Sequence, residues 1–151
     1  MLTKDAITTK YANGQTEWNI PIEWHAVGVY RRHGEAIQYY PTGEVKLRRS
    51  YVHGVEVGEE KIYYRNGNVM SIIPFKDGRK DGKHIFNHPD GSREEVEYEA
   101  GECKQGSAHK FDKNGKERKD RNEKPDGRGE PGPKKILPGD HVPASVSRRT
   151  T

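Results

Sequence analysis

The chain has 151 residues, 30% of them hydrophobic, and its aromatics include eight tyrosines but only three phenylalanines. That is enough for one domain with a thin core and too little for a thick, multilayered one. Residues 1–115 carry 17 basic and 17 acidic groups, so the net charge of +4 lies entirely in residues 116–151, and composition gives the remainder no basic face of the kind a general nucleic-acid binder shows.

Residues 1–26 contain "YANGQTEW" at 11–18, a displaced copy of a motif that recurs later in the chain. They are expected to form an irregular N-terminal cap with a divergent hairpin. Within it, Trp18 and Trp24 either bury the first full repeat or anchor a partner.

Residues 27–118 form the repeat domain. "YYPTGEV" at 39–45, "YYRNGNVM" at 63–70, "NHPDGSR" at 87–93 and "FDKNGKE" at 111–117 place Gly43, Gly67, Gly91 and Gly115 at a constant period of 24. Gly34, Gly58, Gly82 and Gly106 repeat in a second register with the same period. Two registers with one period identify an internal repeat before any other feature. Asn66-Gly67, Asp90-Gly91, Asn114-Gly115 and Asn13-Gly14 are suited to the two positive-φ positions of a type I′ turn. Thr42-Gly43 suits a different turn or a three-residue loop. The arms predict strands near 59–65 and 68–76, with equivalents near 35–41 and 44–53, joined by links at 52–58 and 76–82. One hairpin is marginal alone, so each must be stabilised by stacking on its neighbour. The expected fold is therefore all-β: an elongated single-sheet array of stacked β-hairpins. The pattern weakens in the third copy, where Gly78 is followed by Gly101 at 23 residues, and the fourth reads as a polar cap or half repeat. Residues 119–151, rich in proline, glycine and basic groups, are expected to be a disordered tail because they cannot bury enough apolar surface to offset ordering.

"GEEKIYYRNGNVMSIIPFKDGRKDG" and "GEAIQYYPTGEVKLRRSYVHGVEVG" resemble the MORN repeat family, especially the shorter MORN-like repeats of bacterial proteins. The resemblance covers roughly residues 27–118, and 11–20 more loosely. It departs from the family pattern at Thr42, at Asn87-His88 and in the shifted third link. It implies a scaffold without an invariant catalytic residue. Members of the family organise protein partners, some contact phosphoinositide membranes, and bacterial MORN-like proteins include antitoxins and immunity proteins.

The residues themselves offer little chemistry. His84, His88, His109 and Asp90 would need to converge to hold zinc, and the strand spacing of the first two does not bring them together. Cys103, the only cysteine, excludes an intramolecular disulfide and lacks a surrounding nucleophile signature. No phosphate-cradling glycine motif sits between a strand and a helix. No enzyme activity, cofactor or small-molecule ligand is therefore expected. Without an apolar leader or a bilayer-length apolar window, the chain reads as a soluble, cytoplasmic protein. The binding candidates are Tyr39, Tyr40, Tyr63 and Tyr64, of which one in each pair should face outward, together with Arg48, Arg49, Arg79, Lys80, Trp18 and Trp24. Their mixed charge suits a protein partner, and the resemblance points to a cognate toxin or effector. An anionic membrane surface is the alternative, and nucleic acid ranks below both.

Overall fold

A computed structural model describes residues 4–119; the tail expected at 119–151 lies, beyond Lys119, outside the described residues. Thirteen strands follow in chain order: β1 (Lys4–Lys10), β2 (Thr16–Ala26), β3 (Val29–Arg32), β4 (Gly34–Tyr39), β5 (Val45–Val52), β6 (Val55–Tyr63) and β7 (Val69–Lys76), then β8 (Arg79–Lys80), β9 (Gly82–Asn87), β10 (Arg93–Glu99), β11 (Glu102–Cys103), β12 (His109–Phe111) and β13 (Glu117–Arg118). All belong to one antiparallel sheet whose main path, β1-β2-β4-β5-β6-β7-β9-β10-β12-β13, never departs from chain order. The segment expected as a cap contributes its hairpin, β1 and β2, to this same sheet.

The reversals are of two kinds, and they alternate. At one edge each loop opens on Tyr11, Tyr40, Tyr64, His88 or Asp112. The carbonyl of that residue accepts from the glycine three positions on, and its amide donates to the carbonyl four positions on. This is the three-residue loop in which a type I turn is followed by a left-handed glycine. Gly67 supplies that conformation at φ 86°, where a Cβ would be strained. Asn66 does not need positive φ; its Oδ1 instead accepts from the Asn68 amide at 3.0 Å, as Asn13 does from Gln15 and Asp90 from Ser92. The type I′ turns expected at these Asn/Asp-Gly pairs are found at the opposite edge. There His53-Gly54, Asp77-Gly78 and Ala100-Gly101 have positive φ at both positions and close directly between paired residues. The expected links are therefore hairpins themselves, and every repeat is stitched at both edges.

Ala100 sits at φ 50°, which costs a non-glycine residue roughly 1–2 kcal/mol. Ala100→Gly should stabilise the protein by about 0.5 kcal/mol, once the extra chain entropy of glycine is set against that strain. The check is a higher urea midpoint at unchanged m; a lower midpoint would show that the turn tolerates alanine without strain.

Each edge carries a hydrogen-bonded rail between repeats. The hydroxyls of Tyr11, Tyr40 and Tyr64 donate to the carbonyls of Tyr39, Tyr63 and Asn87 at 2.8, 2.7 and 2.7 Å. On the other side the amides of Gly54, Gly78 and Gly101 donate to the carbonyls of Arg32, Glu56 and Lys80 at 2.7–3.0 Å. Gly82 serves a packing need as well: a Cβ there would meet Pro74 Cγ at 3.1 Å.

One face of the sheet carries the core. The alternating burial of β5 turns Leu47, Arg49 and Tyr51 inward, and these meet Trp18, Ile20, Ala36 and Ile62 from β2, β4 and β6. Leu47, Ile62 and Ile73 are each at most 1% exposed, so the core centres on the first two full repeats. Beyond them Ile85, Phe86, Val96 and Tyr98 are only half-buried, and β13 is exposed.

The shorter spacing in the third copy has a structural origin. In the first two full repeats Lys46 and Met70 are bulged residues, since Val45 and Leu47 pair with consecutive positions 39 and 38, as Val69 and Ser71 do with 63 and 62. In the third, Arg93 and Glu94 pair with Asn87 and Phe86 without interruption. The copy has lost its bulge residue, a deletion that leaves both turns intact.

Candidate functional site

The edge carrying the type I′ turns exposes an apolar strip. Trp24, Val27, Val29, Tyr30, Val52 and Val55 are the exposed large hydrophobic residues among those described, and all fall between positions 24 and 55. Val27 stands fully in solvent at the tip between β2 and β3. Trp24 and Tyr30 pair across those strands with ring centroids 5.7 Å apart, edge to face, and Trp24 Nε1 is anchored on Asp5 Oδ2 at 2.6 Å. Val52 and Val55 pair across the His53-Gly54 turn, which the Gly54 amide ties to Arg32. Exposed apolar groups gathered at one edge make that edge the candidate interaction surface.

The residues singled out from the sequence fall in different places. Tyr40 and Tyr64 are half-buried, and their hydroxyls are consumed by the rail; burial pushes both phenols up. Tyr39 and Tyr63 are half-buried too and pair with Val45 and Val69. Neither member of either pair is fully exposed. Arg48 is bound to Glu35 at 2.9 Å, Lys80 lies over the Tyr98 ring at 5.5 Å, and Arg79 is exposed. Trp24 is exposed on the strip, whereas Trp18, 6% exposed, belongs to the core; of the two readings for Trp18 only the core-forming one fits its position.

Arg49 also has to be corrected. Adjacent arginines on a strand face opposite sides, and the inward one is Arg49, 6% exposed. Its guanidinium contacts Glu60, reaches Glu56 Oε1 at 2.8 Å and approaches the Tyr51 hydroxyl at 3.4 Å. Burial acts against the charge on Arg49, but Glu60, Tyr51 and Glu56 together outweigh it and raise its pKa. Burial pushes the Glu60 carboxyl up, with Arg49 opposing. This group locks β5 to β6.

The histidines do not assemble as the zinc alternative required. His84 contacts Ser71 Oγ at 2.8 Å, His88 contacts Glu94 at 3.2 Å, and His109 contacts Glu117 at 2.5 Å. Ser71 is fully buried, so the Ser71–His84 contact cannot act on a substrate. Cys103 is exposed and free. A shallow groove lined by Thr8, Gln15, Thr16, Asn19, Tyr39 and Gly43 contains no acid and base pair. A different set converges instead: Glu23 on β2, His33 between β3 and β4, and His53 in the turn after β5. The hydrogen bond with His53 holds the Glu23 carboxyl below its usual range. The sequence signal was present but indirect: the Gly54 rail places residues 53 and 33 side by side, and that stacking offset is not visible from the period alone.

A family model described as a MORN repeat variant matches residues 32–53 and 56–77. The first match runs through β4 and β5 and the second through β6 and β7, and each ends on the first residue of a type I′ turn. These two adjacent matches support the MORN repeat family for the central hairpins. MORN repeats generally serve as protein- or membrane-binding modules. A comparison with curated proteins gives no match.

Proposed function

We propose that the chain is a non-enzymatic protein-recognition module whose docking surface is the apolar strip along the type I′ edge, and that it acts in the cytoplasm. The observation that carries this reading is that, among the described residues, the exposed large hydrophobics are confined to Trp24, Val27, Val29, Tyr30, Val52 and Val55. Aromatic and branched apolar groups at the centre of an interface are the ones that supply most of its binding energy. The rigid sheet behind them limits the ordering cost of association. An anionic membrane is ranked second because three of the four cationic candidates have partners within the sheet, Arg48 with Glu35, Arg49 with Glu60 and Glu56, and Lys80 with Tyr98, while Arg79 is exposed. The finer reading is that the partner is a toxin or effector and this chain an antitoxin or immunity protein that covers it. That reading is supported by the resemblance to bacterial MORN-like repeats.

A photo-crosslinking residue at Val55 should capture the partner in cells, and the purified partner should then bind the wild-type chain in calorimetry. Val52→Asp with Val55→Asp should weaken that binding by at least about tenfold, or about 1.4 kcal/mol. Equal binding by the variant would refute the strip. Binding to phosphatidylserine vesicles without any protein partner would put the membrane reading first, and a partner whose toxicity persists on co-expression would remove the antitoxin reading.

A further inference from the structure

We propose that Glu23, His33 and His53 form a zinc site, with one carboxylate oxygen and one nitrogen from each imidazole as ligands and water completing the coordination. The ligand atoms already lie within 4.8 Å of one another. Tetrahedral zinc with bonds of about 2.0–2.1 Å needs them somewhat closer, a change that rotation of the exposed His53 ring can supply. His33 Nδ1 accepts from the His53 backbone amide at 3.2 Å. That nitrogen lies 3.5 Å from Glu23 Oε2, and zinc bound there would replace the amide as the partner of its lone pair. His53 Nδ1 contacts the other carboxylate oxygen, Oε1; zinc would displace the proton shared there and release it to solvent.

The repeat does not require this set. The residues equivalent to His53 in the other type I′ turns are Asp77 and Ala100, and the positions 24 and 48 residues after His33 hold Val57 and Asp81. His53 nevertheless adopts φ 49°, a conformation that glycine or asparagine takes more readily. Two imidazoles with one carboxylate suit zinc or a neighbouring transition ion, not calcium or magnesium, which prefer all-oxygen shells. Arg31, paired opposite Glu23, opposes a cation but is exposed, so solvent screens it. The bound ion would clip the N-terminal hairpin to the first full repeat.

The test is calorimetric titration of the full chain with zinc chloride, together with thermal melts and nitrogen-detected NMR of the imidazoles. The expected result is uptake of a single ion, a raised melting temperature, and zinc-induced shifts at His33 and His53 ahead of the other histidines. His53→Asn, which suits the turn, and Glu23→Gln should each weaken uptake by at least about tenfold. No zinc uptake, first shifts at other histidines, equal stabilisation by calcium chloride, or unchanged affinity in His53→Asn with His33→Asn would each overturn the site. The NMR measurement on the wild-type chain decides the matter even if a variant misfolds.

Discussion

Replacing Glu60 with leucine should lower the stability of the repeat domain by about 3–5 kcal/mol, the range for leaving one member of a buried ion pair without its partner. Arg49 would remain in the core next to Leu47, with a guanidinium that cannot lose its proton and without the buried carboxylate that faces it now. Arg49→Met should be less damaging, because the Glu60 carboxyl, already raised by burial, can take up a proton and become neutral. The double variant Arg49→Met with Glu60→Leu should recover to within about 1 kcal/mol of wild type, since apolar groups of similar volume replace a buried pair at little net cost. Urea denaturation of the four proteins forms a double-mutant cycle. Strictly additive losses would show that the pair is not the unit of stability. The pair bridges β5 of one repeat and β6 of the next, so it also acts on register: a slipped pairing would strand both charges among Ile62, Ile73 and Tyr51.

This pair also shows how far the sequence alone could be read. The two glycine registers were sufficient for the all-β array, because a turn that needs positive φ at fixed intervals leaves few other ways for short strands to bury one face. The turn types were not legible. An Asn-Gly pair is compatible both with a type I′ turn and with a three-residue loop in which asparagine uses its side chain as an acceptor, and only the hydrogen bonds of Tyr64 with Gly67 and Asn68 show the second. The bulges at Lys46 and Met70 set which side chains face the core. "LRRSY" places one arginine inward whatever the register, but only the pairing of Leu47 with Gln38 and Ile62 shows that it is Arg49. The apolar strip was hidden for a related reason. Val52 and Val55 fall in the link expected at 52–58, and only the pairing across it shows that link to be a tight hairpin at the sheet edge.

Lowering the pH from 6.5 towards 4 should destabilise the protein through His84, in a way that His84→Gln removes. Positions 36, 60 and 84 are equivalent in successive repeats, occupied by Ala36, Glu60 and His84, and they face Arg49, Ile73 and Val96 across their strand pairs. In the third repeat no arginine faces the polar group. His84 lies against Val96 and near Tyr98, its Nε2 contacting the buried Ser71 hydroxyl. Burial, reinforced by the nearby charge of Lys80, lowers its pKa from 6.5 to about 4. Between those values the unfolded chain binds a proton that the native chain refuses, so this contribution is complete above about pH 6.5 and disappears as the pH falls through the folded value. Allowing for solvent at this partly exposed ring, the loss is about 2 kcal/mol. The amide introduced by His84→Gln can still offer a partner to Ser71 and does not titrate, so the variant's urea stability should fall less steeply than wild type across that window, whatever its stability at neutral pH. Parallel curves for the two proteins would mean that His84 protonates in place, with the third repeat opening enough to hydrate it; the thinner burial of β9 and β10 relative to β5 and β6 makes that repeat the one where such opening would begin.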